Sequence, residues 1–203
     1  MKILAIGRNY TEHIAELNNE KPDEPVIFFK PDTALLVNNK PFYYPEFSTD
    51  IHYEVEIVLK ICKVGKHIDP AFAYKYYDEI GIGIDFTARD LQQKSKDKGL
   101  PWTLAKGFDG SAPVSAFVPK SKFPDQKNIT FSLSLDGAER QKGNTGMMLY
   151  SFEEIIAYMS KFITLKKGDL IFTGTPKGVG AIQIGNKLEA YIENEKMLEV
   201  EIK

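Results

Sequence analysis

The sequence predicts an α+β fold that contains more strand than helix. Short runs of β-branched and aromatic residues outnumber the segments with helical periodicity, and the two kinds of segment do not alternate regularly along the chain. A doubly wound parallel sheet is therefore disfavoured. The length of 203 residues suits one large domain or two small ones, and it allows a substantial buried core.

The strands are predicted from apolar runs, alternation and turn residues. An Asp136-Gly137 pair follows one alternating run and signals a hairpin, and a second hairpin is expected at the end of the chain. The predicted strands cover residues 3–6, 26–30, 52–59, 80–86, 129–135, 170–173, 188–192 and 197–202.

The helices are predicted from capping residues and from stripes of apolar side chains. Residues 151–162 give the best case, because Ser151 and Glu154 form a capping box ahead of an apolar stripe. The other predicted helices cover residues 9–17 with Asn9 as N-cap, 69–78 with Pro70 at the first position, and 87–98 ending at Gly99. Residues 18–25 are polar, contain two prolines and predict a loop.

Charge and cysteine content narrow the class of protein. The 26 basic and 28 acidic residues give a net charge of −2 without long runs of like charge, which argues against nucleic acid or an anionic membrane as main partner. The single cysteine, Cys62, lies in an apolar strand, and we expect a reduced, cytoplasmic setting. The apolar run at the N-terminus is too short for a signal peptide, and no stretch approaches transmembrane length.

Three carboxylates in two strand-like segments predict a metal site. Alternation places Glu54 and Glu56 on one face of their strand, about 7 Å apart. Asp85 shares its face with Gly81 and Gly83, which we expect to leave space beside it. Carboxylates aimed at one point repel unless positive charge lies between them, and their oxygens suit a hard divalent cation such as Mg²⁺. The alternative is a solvated strand face and an unrelated acid.

Two pairs of residues on the predicted helices are candidates for chemistry. His13 and Glu16 share a face of the first helix, so the carboxylate would orient the imidazole and raise its basicity for water activation. The adjoining loop favours a helix that closes over a site as a lid. Arg89 and Gln92 follow Asp85 closely, and Arg89 is suited to fork onto a substrate carboxylate. The alternatives are an ordinary surface ion pair and a solvated helix face.

Lys106 and Thr175 complete the set of candidates. Lys106 lies in an apolar, glycine-flanked stretch, which suits partial burial and stabilisation of a negative intermediate, although most lone lysines are simply solvated. Thr175 lies in the glycine-rich turn at residues 173–180, which lacks both the P-loop and the dinucleotide-binding spacing. One interpretation is that this turn presents backbone amides and Thr175 to an anion. The alternative is an ordinary connecting turn.

Taken in order, these segments resemble the fumarylacetoacetate hydrolase family. No single motif is specific, but the ordered set spans residues 7–180. The motifs are Gly7-Arg8-Asn9-Tyr10 with His13 and Glu16, Phe29-Lys30-Pro31, Tyr53-Glu54-Val55-Glu56, Asp85-Phe86-Thr87-Ala88-Arg89-Asp90 and Thr173-Gly174-Thr175-Pro176-Lys177-Gly178-Val179-Gly180. The length is similar to that of compact members that act on acylpyruvates or oxaloacetate.

The resemblance implies a fold and a set of roles. It implies a mixed β-sandwich roll, a single catalytic domain over residues 1–203, and a homodimer. It implies Glu54, Glu56 and Asp85 as ligands of Mg²⁺ or Mn²⁺. It implies substrate contacts by Lys106, Arg89, Gln92 and Thr175, and a water-activating dyad of His13 and Glu16 on a lid.

From the resemblance we expect a metal-dependent hydrolase that cleaves a carbon–carbon bond in acylpyruvate-type 2-oxo acids, with oxaloacetate decarboxylation as a second activity of which the same site is capable. An isomerase or tautomerase of small 2-oxo or 2-hydroxydienoate diacids is the nearest alternative, although tautomerisation needs no activated water. A non-catalytic binding protein that keeps the fold and the metal is a further alternative, and the full set of expected ligands together with Lys106 argues against it.

Overall fold

The computed structural model describes residues 1–16 and 22–203, and its largest element is a six-stranded mixed sheet. In spatial order, this sheet contains β2 (Val26–Lys30), β1 (Ile3–Gly7), β12 (Leu170–Phe172), β5 (Val55–Ile61), β6 (Tyr77–Ile84) and β9 (Val118–Pro119). Strands β1 and β12 are parallel, and the other neighbours are antiparallel. The predicted mainly β, α+β fold is confirmed.

A four-stranded antiparallel sheet packs against β5 and β6. Its strands, in spatial order, are β11 (Ala138–Asn144), β10 (Thr130–Leu135), β14 (Lys187–Ile192) and β15 (Glu195–Glu201). Both predicted hairpins are confirmed. Asp136 and Gly137 have φ values of 52° and 80°, the left-handed backbone that a tight hairpin turn requires.

Two smaller sheets lie near the edge of this assembly. The three-stranded sheet contains β13 (Gly180–Ala181), β4 (Ile51–Tyr53) and β7 (Thr87–Ala88), and the two-stranded sheet contains β3 (Leu35–Leu36) and β8 (Ala112–Pro113). The predicted strand at residues 52–59 is therefore divided between two sheets at Glu54, because β4 pairs with β13 and β7 while β5 pairs with β6 and β12. Alternation alone does not show such a division, since both halves keep the same pattern.

The helices of the described residues are short, and they cover the ends of the sheets. They are α1 (Thr11–Glu16), α2 (Arg89–Asp97), α3 (Thr103–Lys106) and α4 (Phe152–Phe162), with 3₁₀ turns at Asp32–Ala34, Pro70–Lys75, Lys120–Lys122 and Thr145–Met147. The capping box of α4 is confirmed. The helix predicted at 69–78 is a 3₁₀ turn that keeps the predicted start, with Pro70 at the first position and Asp69 as its cap. The helix predicted at 87–98 begins only at Arg89, because β7 uses the two preceding residues.

The predicted N-cap role of Asn9 is wrong. Helix α1 begins at Thr11, and the buried Asn9 side chain donates to the carbonyl oxygens of Thr173 (2.8 Å) and Tyr150 (3.1 Å), while its Oδ1 accepts from the Tyr150 amide (2.9 Å). Asn9 therefore connects the start of α1 to the chain after β12. The predicted end of this helix at Leu17 and the first half of the predicted 18–25 loop lie outside the described residues.

Gly81 and Gly83 make room for aromatic rings. A Cβ on Gly83 would lie 2.7 Å from the Phe172 ring and 2.9 Å from Val58 Cγ2, and a Cβ on Gly81 would lie 3.1 Å from the Phe117 ring. The expectation that these glycines leave space beside Asp85 is therefore wrong. Their bare backbone lets Phe172 and Phe117 pack against β6, on the face that also buries Val58.

We predict that Gly83→Ala lowers the free energy of unfolding by about 1–3 kcal/mol, because the added methyl group overlaps a ring that is itself fully buried. Urea denaturation measures the change. Gly7→Ala is the matched control, since Gly7 also lies in a strand and its Cβ would meet Trp102 at an ordinary 3.4 Å. Equal stabilities of the two variants would contradict this account of β6.

Candidate active site

Three carboxylates meet at the end of the β5–β6 pair. Glu54 immediately precedes β5, Glu56 lies within β5, and Asp85 immediately follows β6. The antiparallel register places Val55 opposite Ile84, and the Asp85 amide donates to the Glu54 carbonyl oxygen at 2.8 Å. One oxygen of each carboxylate lies within 4.8 Å of the others, and all three residues are at most 5% exposed. The predicted convergence of the three acids is therefore present.

Three basic side chains surround this carboxylate cluster. Lys106 Nζ donates to Glu54 Oε2 (2.8 Å), Asp85 Oδ2 (2.6 Å) and Thr87 Oγ1 (2.6 Å). Arg89 Nη2 donates to Glu54 Oε1 at 2.6 Å, and Lys30 Nζ lies 2.6 Å from Asp85 Oδ1. Lys106 is 2% exposed, so the prediction of a buried lysine is confirmed. These three cations contact Glu54 and Asp85, and none of these contacts reaches Glu56.

The surroundings separate the proton affinities of the glutamates. Burial raises the pKa of Glu54, but the charges of Lys106 and Arg89 outweigh it and lower that pKa well below its usual range. Burial and the nearby Asp85 charge raise the pKa of Glu56 well above its usual range, against the opposing effect of a hydrogen bond from the Gly174 amide, 2.6 Å from Oε2. Without a cation, Glu56 therefore binds a proton more tightly than Glu54 does.

The donor set fits a hard divalent cation. All candidate ligand atoms are carboxylate oxygens, which suit Mg²⁺ or Mn²⁺. Asp85 Oδ1 is buried, and its contact within the described residues is the ion pair with the Lys30 ammonium at 2.6 Å. A glutamate that is repelled by the neighbouring carboxylates of Asp85 and Glu54 is the feature that a bound cation would stabilise.

Helix α1 brings the predicted dyad to the same site. His13 Nδ1 lies 3.3 Å from Glu16 Oε2, and Glu16 Oε1 accepts from the Gly178 amide at 2.9 Å. An ion pair of 3.1 Å joins Glu12 to Lys177. Burial lowers the pKa of His13, in spite of the opposing charge of Glu54, so the neutral imidazole predominates at neutral pH. The pairing of His13 with Glu16 is confirmed. The contacts of Glu16 with Gly178 and of Glu12 with Lys177 fasten α1 to the glycine-rich turn.

Most of the predicted site residues line one cavity of about 30 Å³. Its walls are formed by Gly7, Arg8, His13, Glu54, Arg89, Gln92, Lys96, Trp102 and Lys106. Arg89 Nη1 donates to Gln92 Oε1 at 2.6 Å. The two terminal nitrogens of the Arg89 guanidinium, predicted to bind a substrate carboxylate, therefore contact Gln92 and Glu54. Arg89 Nε is buried and has no hydrogen-bond partner among the described residues.

Thr175 lies apart from this cavity, on the Glu56 side of the cluster. It is buried, follows the Gly174 amide that binds Glu56, and accepts a hydrogen bond from Gln141 Nε2 at 2.9 Å. Gly174 and Gly178 have φ values of 99° and 96°, and a Cβ on Gly178 would lie 2.2 Å from the Arg140 carbonyl oxygen. The turn does present amides to anions, as one of the two sequence interpretations has it, and the anions are the carboxylates of Glu56 and Glu16.

Three buried polar residues beside the site were assigned no role from the sequence. Lys30 donates to the carbonyl and hydroxyl oxygens of Ser111 at 3.0 and 3.1 Å, and Gln141 bonds the Val55 amide at 2.9 Å. The buried Tyr10 hydroxyl has no hydrogen-bond partner among the described residues, and burial, with the charge of Glu56, raises its pKa. A lysine at the end of an apolar strand was a usable signal for Lys30, whereas Gln141 lies in a polar strand with no such signal.

A comparison with protein-family models finds one match, to the C-terminal domain of fumarylacetoacetate hydrolase, over residues 2–203. No helix in the described residues is long and apolar enough to cross a membrane.

Similar proteins cover nearly the whole chain. A mouse protein described as mitochondrial oxaloacetate tautomerase FAHD1 is 44% identical over 99% of this chain and 91% of its own length. A mitochondrial oxaloacetate decarboxylase of Dictyostelium discoideum is 44% identical over 94% of this chain and 88% of its own. The crystal structure of fumarylpyruvate hydrolase from Pseudomonas aeruginosa, in complex with Mn²⁺ and pyruvate, has a TM-score of 0.94 and 34% identity, and the match covers 100% of this chain and 89% of that one.

We predict that Mg²⁺ or Mn²⁺ raises the melting temperature of EDTA-treated protein, because the cation binds the folded cluster and the unfolded chain lacks it. A free metal concentration of about 100 times Kd stabilises the folded protein by about 2.7 kcal/mol. Glu56→Gln reduces this shift in differential scanning fluorimetry. Glu79→Gln is the control, because Glu79 lies in neighbouring β6 and pairs with Lys60.

The increase in melting temperature that the metal causes should also become larger as pH rises above about 5. The folded-state pKa of Glu56 is raised, so the unfolded chain loses that proton first, and metal-free stability falls as pH rises towards the raised pKa. A bound metal displaces the proton from Glu56, so the metal-bound protein does not lose stability in this pH range. Glu54, whose pKa is lowered, contributes its pH dependence below this window. A pH-independent shift, or an equal shift in Glu56→Gln, would contradict a metal site at this cluster.

Proposed function

The chain belongs to the fumarylacetoacetate hydrolase family, and from this membership we propose that residues 1–203 form a single catalytic domain that acts on small 2-oxo acids with the help of Mg²⁺ or Mn²⁺. The observation that carries the proposal is the convergence of His13, Arg89, Gln92 and Lys106 on one cavity beside the carboxylate cluster. A base, two carboxylate-binding groups and a buried cation are the parts that enolate chemistry requires.

The proposed reaction is hydrolysis of a carbon–carbon bond in an acylpyruvate. When bound, the cation acts as a Lewis acid on the 2-oxo acid. Arg89 and Gln92 bind the substrate carboxylate, and Lys106 stabilises the negative charge that develops on the 2-oxo oxygen. A contact of this kind is typically worth about 10²–10³ in rate.

The water is activated by the dyad. His13 takes the proton through the ring nitrogen that Glu16 does not contact, and the resulting hydroxide attacks the distal carbonyl carbon. The carbon–carbon bond then breaks, its electron pair leaves as the enolate of pyruvate, and the distal acyl group is released as a carboxylic acid. Protonation of the enolate carbon yields pyruvate. The lowered pKa of His13 supports this role, because the ring is neutral and free to accept the proton.

Chemistry on oxaloacetate is the second candidate, and the similar proteins favour it. Two of them are described as an oxaloacetate tautomerase and an oxaloacetate decarboxylase. Decarboxylation forms the same enolate without a water, and tautomerisation moves one proton between carbon and oxygen. The same Lys106 and Arg89 serve both reactions, whereas the Glu16-oriented base is needed for water activation.

The cavity is too small to admit the proposed substrate without a movement of its wall. A volume of about 30 Å³ is far below the roughly 300 Å³ at which small-molecule pockets begin, so a 2-oxo acid enters only if part of the wall is displaced. Helix α1 is the proposed wall, because it contributes His13 and is fastened by two polar contacts, Glu16 with Gly178 and Glu12 with Lys177. These contacts break at modest cost in water.

The proposed function predicts metal-dependent turnover of 2-oxo acids. Pyruvate release is measured with acetylpyruvate and with oxaloacetate, in Mg²⁺ and then in EDTA, and the keto–enol ratio of oxaloacetate is followed by absorbance. Metal-dependent release from acetylpyruvate supports the hydrolase. Activity confined to oxaloacetate supports the second candidate, and the absence of turnover with both substrates would contradict the proposal.

A further prediction separates water activation from enolate formation. Glu16→Ala should reduce acetylpyruvate hydrolysis by about 10²–10³ and should affect oxaloacetate decarboxylation by less than about tenfold, because only hydrolysis needs an oriented base. Glu12→Ala is the matched control, since it removes the other tie of α1 and leaves His13 and Glu16 paired. Equal losses of both activities in Glu16→Ala, repeated in Glu12→Ala, would indicate that the residue acts only by docking the helix.

A further inference from the structure

Gln141 is a buried polar residue that the proposed reaction does not use. It is 1% exposed and lies in β11, at the edge of the four-stranded sheet. Its Oε1 accepts from the Val55 amide at 2.9 Å, and its Nε2 donates to Thr175 Oγ1 and to the Pro176 carbonyl oxygen, both at 2.9 Å. Val55 separates the two glutamates of the carboxylate cluster, so one side-chain amide joins that strand to the glycine-rich turn.

A β-bulge lies directly before this residue. In the pairing of β10 with β11, the register shifts so that Arg140 has no partner between Glu139 and Gln141. An extra residue of this kind bends its strand and re-aims the side chain beside it, and bulges are frequent next to active sites. The Arg140 carbonyl oxygen occupies the space where Gly178 would carry a Cβ. The bulge therefore lies against the glycine-rich turn, which the Gln141 side chain also contacts.

Backbone partners fix the orientation of the Gln141 amide. A peptide N–H can only donate, so the atom that binds the Val55 amide is the oxygen. A peptide carbonyl can only accept, so the atom that binds the Pro176 carbonyl is the nitrogen. The same nitrogen binds Thr175 and has no lone pair to offer, so the Thr175 hydroxyl must accept this hydrogen bond.

The Thr175 hydroxyl therefore keeps its proton for another partner. A hydroxyl group has one proton to donate, and no acceptor within the described part of the chain is hydrogen-bonded to it. Thr175 is 3% exposed and follows Gly174, whose amide binds Glu56, so this donor lies on the Glu56 side of the cluster. A buried donor that lacks an acceptor is destabilising, and an acceptor atom of a bound ligand would relieve this cost.

We propose that Gln141 is a positioning residue that turns the Thr175 hydroxyl proton towards an anionic oxygen of the bound 2-oxo acid. The inference rests on the proposed function, and it adds a donor on the Glu56 side of the cluster to Arg89 and Gln92 on the cavity side. The candidate ligand oxygens of the cluster lie within 4.8 Å of one another, a span that a small 2-oxo acid can bridge. The carboxylate of such an acid is charged throughout the reaction, so the hydrogen bond contributes to ligand binding.

A double-mutant cycle tests whether Gln141 acts through the Thr175 hydroxyl. Gln141→Met removes the amide and keeps the length of the side chain, and Thr175→Val removes the hydroxyl and keeps its shape. Lys142→Met is the matched control, because Lys142 is the exposed neighbour of Gln141 in β11. With saturating Mg²⁺, calorimetry gives the Kd of pyruvate, kinetics give kcat and KM for acetylpyruvate and oxaloacetate, and scanning fluorimetry gives the melting temperature.

We expect Gln141→Met and Thr175→Val each to raise the Kd of pyruvate and KM by about tenfold, with a smaller change in kcat, because one hydrogen bond to a charged group is lost. In the Thr175→Val background, Gln141→Met should raise the Kd by less than about twofold, because no hydroxyl remains to be oriented. In the Thr175→Ser background the full effect of Gln141→Met should return, since serine keeps the hydroxyl. Lys142→Met should resemble the wild type.

A purely structural role gives a different pattern. In that case Gln141→Met lowers the melting temperature and raises the Kd by the same factor with threonine and with valine at position 175, and this result would overturn the inference. A smaller Mg²⁺-induced melting shift in Thr175→Val, with an unchanged Kd of pyruvate, would assign the hydroxyl to the carboxylate cluster and would also overturn it. If Gln141→Met does not fold, Gln141→Asn replaces it, because the shorter amide cannot span the same three partners.

The binding measurements separate this inference from the proposed function. If the wild type binds pyruvate in the expected Gln141-dependent manner but turns over neither substrate, the positioning role stands and the reaction assignment fails. If the wild type turns over a 2-oxo acid and Gln141→Met leaves Kd and KM unchanged, the reaction assignment stands and the positioning role fails. The absence of both binding and turnover would overturn both.

Discussion

The burial of three carboxylates within 4.8 Å of one another is the constraint on which the rest of the site depends. Such a cluster is unstable in a protein interior unless positive charge surrounds it. Lys30, Lys106 and Arg89 supply that charge from three different elements, namely the end of β2, the end of α3 and the start of α2. The positions of these elements are therefore fixed by electrostatics as well as by packing. The same arrangement leaves Glu56 with little compensation, which is the asymmetry that suits cation binding.

The sequence predicted the regular elements well wherever the signal was local. The capping box of α4 and the two hairpins follow from a few neighbouring residues, and the structure confirms them. The failures occurred where distant contacts decide the outcome. Asn9 looks like a helix cap, but it bonds Tyr150 and Thr173 in a segment more than 140 residues away. The division of one predicted strand at Glu54 likewise depends on partners from elsewhere in the chain.

The candidate site was predictable in composition and less so in detail. Strand alternation and the ordered motifs indicated Glu54, Glu56 and Asp85, and the helical spacing paired His13 with Glu16. Strand alternation predicts only the face to which each side chain points, and not what packs against that face. It therefore did not show that Gly83 accommodates the Phe172 ring. Lys30 and Gln141 were missed as site residues because their partners are mostly backbone groups brought near by folding, which leave no trace in local sequence.

The glycine-rich turn after β12 joins the carboxylate cluster to helix α1 through two main-chain amides, in addition to the side-chain ion pair of Lys177 with Glu12. The Gly174 amide binds Glu56 and the Gly178 amide binds Glu16, so neither hydrogen bond depends on the identity of a side chain in the turn. Sequence drift at the positions between these glycines would therefore leave both bonds intact, provided that the backbone path is kept. A residue with a Cβ at position 178 would disturb that path, because the Arg140 carbonyl oxygen occupies the space. These two hydrogen bonds thus depend on the shape of the turn and not on its side chains, so a substitution that changes the backbone path would disturb the carboxylate cluster and α1 together.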